Sequence, residues 1–294
     1  MEIKMKRCIF CMKNKEDKEF NKEHIILEAL GGKGNEDMCF NVCTSCNSSL
    51  GTRVDAALLN QCITKYIRYT FKIKGKNGVP NPFKNIELPY ANTPLVGEIK
   101  VNKEGKINGF RAKHQLLKFG KNILIVGPKK GFAGYVNSQL KQEGFPQLLE
   151  KEILENKIDL GEPKIPYIEY VEFTEEMKKE YLVYAFPTML KMAYEYCFSI
   201  LGEKYLMDPL ANKIRNFLME FDYKKNTEYF VPTTAFLKWN DKQQRKISLN
   251  INKKNKEIFV TINLWGVVIS NICMSETAMK YKKNISSNLI IEIC

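Results

Sequence analysis

Apolar positions along this chain recur at two spacings, and the spacing changes from segment to segment. The strongest helical period lies at residues 187–201, where Leu190, Ala193, Tyr194, Cys197 and Leu201 stand three or four apart and form one stripe. Gly202 suits the C-terminal cap of that helix, and Asp208-Pro209 supplies an N-cap and first-turn proline for the next. That next helix would turn Leu210, Ile214, Phe217 and Leu218 inward. Alternation predicts strands at 96–101 and 107–112 around a turn at 103–106, and a buried strand at 123–126. Further strands are expected at 167–173, 229–239, 246–251, 258–264 and 289–293, with 252–256 turning between two of them. Residues 135–165 read as charged and helical.

The first quarter of the chain is patterned differently. Residues 1–7 can lead a strand, 23–26 form another, and 28–34 make a glycine-rich turn. Thr44 or Ser45 can cap a helix that Gly51 ends or bends. A longer helix over 52–72 would bury Val54, Leu58, Cys62 and Ile63. From 73 to 91 glycine, proline and lysine alternate without periodicity, which suits a linker. The expected organisation is a small module over 1–74, a linker over 75–91 and a larger domain over 92–294. Because helices and strands do not alternate regularly, the fold class is α+β rather than doubly wound.

Composition adds a partner class. Lys and Arg number 46 against 33 Asp and Glu, a formal charge of +13, which favours a polyanion such as nucleic acid. A lysine-rich surface that merely keeps the chain soluble is the bland alternative. The N-terminus is charged and has no apolar core, and no run of about 18 apolar residues exists. A cytoplasmic protein with no membrane partner is therefore expected.

Nine cysteines is an odd number, and four of them form two CxxC pairs, Cys8/Cys11 and Cys43/Cys46, separated by 31 residues. In a reducing compartment this spacing means metal rather than disulfides, and four thiolates make a closed tetrahedral zinc site. Such a site is structural, since no coordination position is left for chemistry. Cys39 is a spare, best read as a small buried residue. His114 has no metal-like neighbours in sequence and reads as structural. The glycine-rich basic loop 127–134 reads as an ordinary turn, with phosphate cradling as its sharper alternative.

The order Cys-x-x-Cys, Glu23-His24-Ile25-Ile26, Gly31-Gly32, Asn41-Val42-Cys-x-x-Cys-Asn47 and Leu50-Gly51 resembles the HNH endonucleases. It is most similar to the zinc-containing bacterial branch with an E-H-I-I-P-E-x-L-G-G stretch; Leu27 stands where that branch has proline. The resemblance spans residues 8 to about 55. It implies a ββα-metal fold, a hairpin and helix gripping one divalent catalytic metal. It also implies phosphodiester hydrolysis leaving 5′-phosphate and 3′-hydroxyl ends, with His24 as the base that activates water. Glu23 and Asn47 would hold the catalytic metal, and Asn41 would orient the imidazole, with Asn35 the competing choice. Asp55 matches an acid the family often carries and would act only from outside the metal's ligand set.

The chemistry is coherent without the name. Hydrolysis of a phosphodiester needs a base near neutrality and a cation against the phosphate, and oxygen ligands suit Mg²⁺ or Mn²⁺. On a flat strand, however, Glu23 and His24 leave opposite faces, so they share a site only if the strand ends or bulges there. The expected function is a metal-dependent endonuclease, on DNA, whose C-terminal domain selects substrate or senses a small-molecule or protein regulator. Architectures of this kind fit a phage-defence role. A catalytically silent, zinc-stapled nucleic-acid-binding module is the alternative. A lone site cuts one strand, so duplex cleavage would require a homodimer or two binding events.

Overall fold

The computed structural model describes residues 5–32, 37–83, 86–90, 93–119, 122–128, 130–156, 175–221, 233–236, 246–281 and 285–292. β1 (Met5–Arg7) and β2 (Asn14–Glu16) pair antiparallel around the first CxxC turn. Met12 takes a left-handed conformation there (φ 59°), and its N–H donates to the Cys8 carbonyl at 2.9 Å. β3 (Phe20–His24) pairs antiparallel with β4 (Met38–Cys43), and α1 (Thr44–Leu50) packs against both strands. Hairpin and following helix thus form a ββα unit.

Gly51 does not end this helix. It is right-handed (φ −56°, ψ −41°), and the chain continues as a π-helical turn, Gly51–Asp55, into α2 (Ala56–Asn60). The helix expected over 52–72 breaks at Gln61, which is extended (ψ 141°), before α3 (Cys62–Thr70). The Gln61 side chain donates to the Ala57 carbonyl at 3.3 Å, satisfying a group the break would leave open.

Contacts group residues 1–77 with 172–294, and leave 78–171 as a second unit. This differs from boundaries drawn at 74 and 91, and the reason is α6 (Glu175–Leu201). It begins 12 residues ahead of Pro187, which sits inside it rather than at its start. Tyr181, Ala185, Met189, Leu190, Met192, Ala193, Tyr194 and Cys197 are all at most 1 % exposed. They share one apolar core with Ile9, Phe10, Val42, Leu50, Val54, Leu58, Ile63 and Ile67 of the first 77 residues. Three polar bonds reinforce the seam. Thr188 donates to the Val54 carbonyl at 3.2 Å, Tyr194 to the Ile9 carbonyl at 2.9 Å, and Arg53 to the Phe221 carbonyl at 3.2 Å.

The other side of α6 meets a five-stranded antiparallel sheet. It comprises β10 (Thr233–Phe236), β11 (Lys246–Lys254), β12 (Glu257–Leu264), β13 (Val268–Ser275) and β14 (Ser286–Glu292), in the order β10-β13-β12-β11-β14. β12 alternates strictly, burying Ile258, Val260, Ile262 and Leu264. β13 went unpredicted because Trp265-Gly266 hides a hairpin turn in an apolar run; both residues have positive φ (58° and 71°). α7 (Pro209–Glu220) begins at Asp208, whose carboxylate accepts from Leu210 N–H and from Ser275, Thr277 and Tyr281 hydroxyls. The strand expected over 167–173 lies outside the described residues.

The second unit holds β5 (Ile86–Tyr90), β6 (Thr93–Val101) and β7 (Ile107–Ala112) as one antiparallel sheet, with β8 (Gln115–Phe119) and β9 (Asn122–Val126) as a hairpin. α4 (Phe132–Gln142) and α5 (Glu150–Glu155) form its small apolar cluster on Val136, Leu140 and Ile153. Gly127 packs closely on Tyr135: a Cβ there would lie 2.4 Å from the Tyr135 ring. His114 stacks on the same ring, centroids 5.3 Å apart. Among the described residues no helix is long and apolar enough to cross a membrane.

The zinc ligands converge as the spacing implies. Ligand sulfurs of Cys8, Cys11, Cys43 and Cys46 all lie within 4.8 Å of one another, with Cys11 and Cys43 at 3.9 Å. A tetrahedral site with Zn–S near 2.3 Å has S···S edges of about 3.8 Å, so the set fits zinc. Cys39 stands apart and buried, its thiol pushed up to about 12 by burial and then by nearby Glu195.

Two outcomes follow from this seam and this staple. Expressed alone, residues 1–77 should remain unfolded even with zinc, because α6 covers their core; far-UV circular dichroism and amide dispersion would check it. In the full chain, Cys46→Ser should abolish stoichiometric zinc and cut the urea midpoint sharply, since zinc affinity is folding energy here; metal analysis with denaturation reads both.

Candidate functional site

His24 closes β3 and is the outward residue of the hairpin. Its cross-strand partner is Met38, and Glu23 pairs with Cys39, so the two positions alternate in ordinary register. The bulge in this hairpin lies one step earlier, between Asn21 and Glu23. The His24 side chain is 24 % exposed while Glu23 turns inward.

The imidazole is held by Asp37. Nδ1 lies 3.2 Å from both carboxylate oxygens, and the Asp37 side chain is only 2 % exposed. A carboxylate accepts and cannot donate, so Nδ1 carries the proton and Nε2 presents its lone pair outward. The loop between the strands builds this pair. Ile25 N–H donates to the Asp37 carbonyl at 2.7 Å, and Gly32 N–H to the Leu27 carbonyl at 3.0 Å. A Cβ on Gly32 would lie 1.8 Å from the Ile26 carbonyl oxygen and 3.1 Å from Asp37 Oδ2, so only glycine lets the loop close over Asp37. Leu27, in the place of proline, has φ −50°, which proline also adopts.

Asp37 therefore does what Asn41 was expected to do. Asn41 sits farther along β4 and donates to the Arg7 carbonyl at 3.4 Å, beside the zinc knuckle rather than on the ring. Asn35 lies outside the described residues. Sequence reading missed Asp37 because a loop of unknown path separates it from His24; its signal was an acid at the mouth of the second strand.

Glu23 meets an unexpected partner. Lys191 of α6 donates to Glu23 Oε1 at 2.7 Å and to Asp55 Oδ2 at 2.7 Å, with Glu195 Oε1 at 3.9 Å. Lys191 and Glu195 are fully buried, and the Glu23 side chain keeps 11 % exposure. Burial alone would lower the ammonium, yet Glu195, Asp55 and Glu23 hold it above the ordinary lysine value. Burial drives Glu195 well above the usual carboxylate range and raises Asp55 as well, with Lys191 opposing both. Among the described residues, neither Glu195 oxygen nor Asp55 Oδ1 has a hydrogen-bond partner. The π-helical turn brings Asp55 to this cluster, while Asn47 stays half-buried on α1. So the structure joins His24 to Asp37 and Glu23 to Lys191, and it gives the two pairs to opposite faces of one strand. The signal for Lys191 and Glu195 was visible: two charges four apart inside an otherwise apolar helical stripe.

A divalent ion near His24 would draw on Glu23 and Asn47, a carboxylate and an amide that match the oxygen preference of Mg²⁺. Glu23 does not fit that role here: it leaves the face of β3 opposite His24, with Oε1 committed to Lys191. Among the described residues, the four cysteines are the only His/Cys/Asp/Glu group whose donor atoms converge.

A search of curated proteins and of solved structures finds no match to this chain. A family model described as HNH endonuclease does match, over residues 8–63. That span contains both cysteine pairs, the His24–Asp37 pair, the ββα unit and the π-helical turn. The N-terminal part of this protein is thus a small HNH-type module, similar over residues 8–63 to the HNH endonucleases, beside a larger α+β domain.

Proposed function

We propose that this protein is a metal-dependent endonuclease that hydrolyses phosphodiester bonds in DNA, with His24 as general base. The observation that carries the reading is the His24–Asp37 pair: a buried carboxylate engages Nδ1, which leaves Nε2 as the ring atom available to act as base at the partly exposed end of a hairpin. Nε2 takes a proton from water as the oxygen attacks phosphorus, and Asp37 stabilises the positive charge the ring acquires. A divalent Mg²⁺ or Mn²⁺ would neutralise charge on the phosphate and leaving oxygen; Asn47 stays a candidate ligand, while Glu23, turned inward onto Lys191, is not placed to hold the ion on the face of His24. Lys22 precedes Glu23 on the exposed side of β3, and the net charge of +13 suits a polyanionic substrate. One base per chain cuts one strand, so duplex cleavage takes two chains or two encounters.

One observation favours a second reading, a zinc-stapled nucleic-acid-binding module without activity. Glu23 already has a cation in Lys191, which leaves it less to offer a metal.

Cleavage separates the two. The full-length protein should nick supercoiled plasmid with Mg²⁺ or Mn²⁺. EDTA and His24→Ala should each abolish nicking, while the variant keeps its zinc and its circular dichroism. Binding without any nicking by the wild type supports the silent module instead. Asp37→Asn should keep the fold and lower the cleavage rate by about 10²–10⁴-fold, because an amide no longer dictates the ring's tautomer. Single-turnover kinetics at saturating DNA would measure the drop, and a wild-type rate in this variant would remove Asp37 from the mechanism.

A further inference from the structure

Three carboxylates surround one ammonium inside the core, and their arrangement excludes a simple metal site. Glu23, Asp55 and Glu195 converge on that ammonium, which takes the place a metal ion would need. Lys191 is itself the cation of the cluster, at 2.7 Å from two of the acids. It comes from α6, 168 residues away from Glu23 in sequence, and α6 also packs against β4.

The geometry at β3 gives this ion pair a consequence for the neighbouring residue. Glu23 and His24 are adjacent and alternate across the hairpin, with Cys39 opposite the first and Met38 opposite the second. Cys39 is 3 % exposed on the inward side, and Met38 is half-buried on the other. A strand has only two faces, so fixing one residue inward fixes its neighbour outward. A one-residue slip would turn Glu23 to solvent and drive the imidazole into the core. Hydrophobic pattern alone guards weakly against that slip, because Asn21, Lys22 and Glu23 are all polar. What favours the observed register is a buried ammonium that takes one of its two 2.7 Å contacts from a carboxylate at position 23.

We propose that Lys191 is a positioning residue for the hydrolysis assigned above: by holding Glu23 inward it fixes the face of β3 from which His24 meets Asp37 and substrate. The proposal rests on the nuclease reading for its kinetic consequence, but not for its structural one. It makes α6 an integral part of the catalytic module rather than a regulator of it.

The test uses full-length, zinc-loaded protein in the His114→Asn background, which leaves His24 as the single histidine. Imidazole ¹⁵N spectra then report whether one Nδ1–H tautomer persists, independently of cleavage. Lys191→Met should lose that single-tautomer signature. Its kcat should fall by about 100-fold, the scale of an ångström of misplacement, with KM changed only a few-fold. Lys191→Arg should restore the signature and bring kcat to within about tenfold of wild type. If Lys191→Met does not fold, Glu23→Gln/Asp55→Asn/Lys191→Met leaves Lys191, Glu23 and Asp55 no charge to strand in the core and carries the same expectation for the spectrum. A folded Lys191 variant with the wild-type spectrum overturns the proposal. Unfolding of all three variants overturns it too, by making Lys191 a folding residue alone. A wild type that cleaves nothing removes the nuclease reading, and the spectra still decide what Lys191 does.

Discussion

The first unit depends on one buried ammonium. Lys191 is fully enclosed, and the groups that compensate it come from three places: Glu23 on β3, Asp55 at the end of the π-helical turn and Glu195 one turn along α6. Stripping hydration from such a group costs several kcal/mol, which is recovered only when the partners are close and well placed. Deleting one partner of a buried pair typically costs about 3–5 kcal/mol, so each of these elements is constrained by the others. The surrounding seam is apolar and non-directional; it would tolerate small shifts of α6 along the module. Two contacts at 2.7 Å do not, and they set the register of the strand that ends in His24.

This constraint explains why boundaries read from local sequence fail here. A glycine- and proline-rich stretch after residue 73 looks like the end of a module, and in sequence it is. The module's core is completed by a helix that starts a hundred residues later. A stretch of about 75 residues buries too small a fraction of its surface to be secure, and the zinc staple closes only one end of it. The helix that finishes the job was read correctly as apolar, but an apolar stripe does not say what it covers. Lys191 and Glu195 did say so, since charges in the middle of such a stripe require buried partners of opposite sign. Their partners could not be named without the fold.

Within the site, the legible part was the part encoded by spacing. The two cysteine pairs fix a tetrahedron because ligand geometry admits few arrangements, and the chain order of knuckle, histidine, paired glycines and knuckle followed from it. Asp37 was not legible, because what places it is the path of a loop. Gly32 can touch the Ile26 carbonyl where any side chain would collide, and it lies close to the Asp37 carboxylate that holds the imidazole. The sequence displays paired glycines, but the residue they serve is five positions on. Asn41 carries the amide the resemblance implies for orienting the imidazole, but its place beside the second knuckle ties it to Arg7 instead.

The division of charge between the two faces of β3 has a chemical logic. An acid adjacent to a catalytic base, both open to solvent, would compete with a polyanionic substrate for the same space. Turning Glu23 inward against a lysine removes most of that negative charge from the face where DNA would lie, while Asp37 keeps its own charge buried behind the ring. The outward face then carries the imidazole lone pair and the exposed Lys22, an arrangement that repels no phosphate. Inward, Glu23 meets Lys191 beside Glu195 and Asp55, two carboxylates that burial raises and Lys191 steadies. The same alternation that separates Glu23 from His24 thus lets one strand hold a structural ion pair on one side and an acid–base pair on the other, one residue apart.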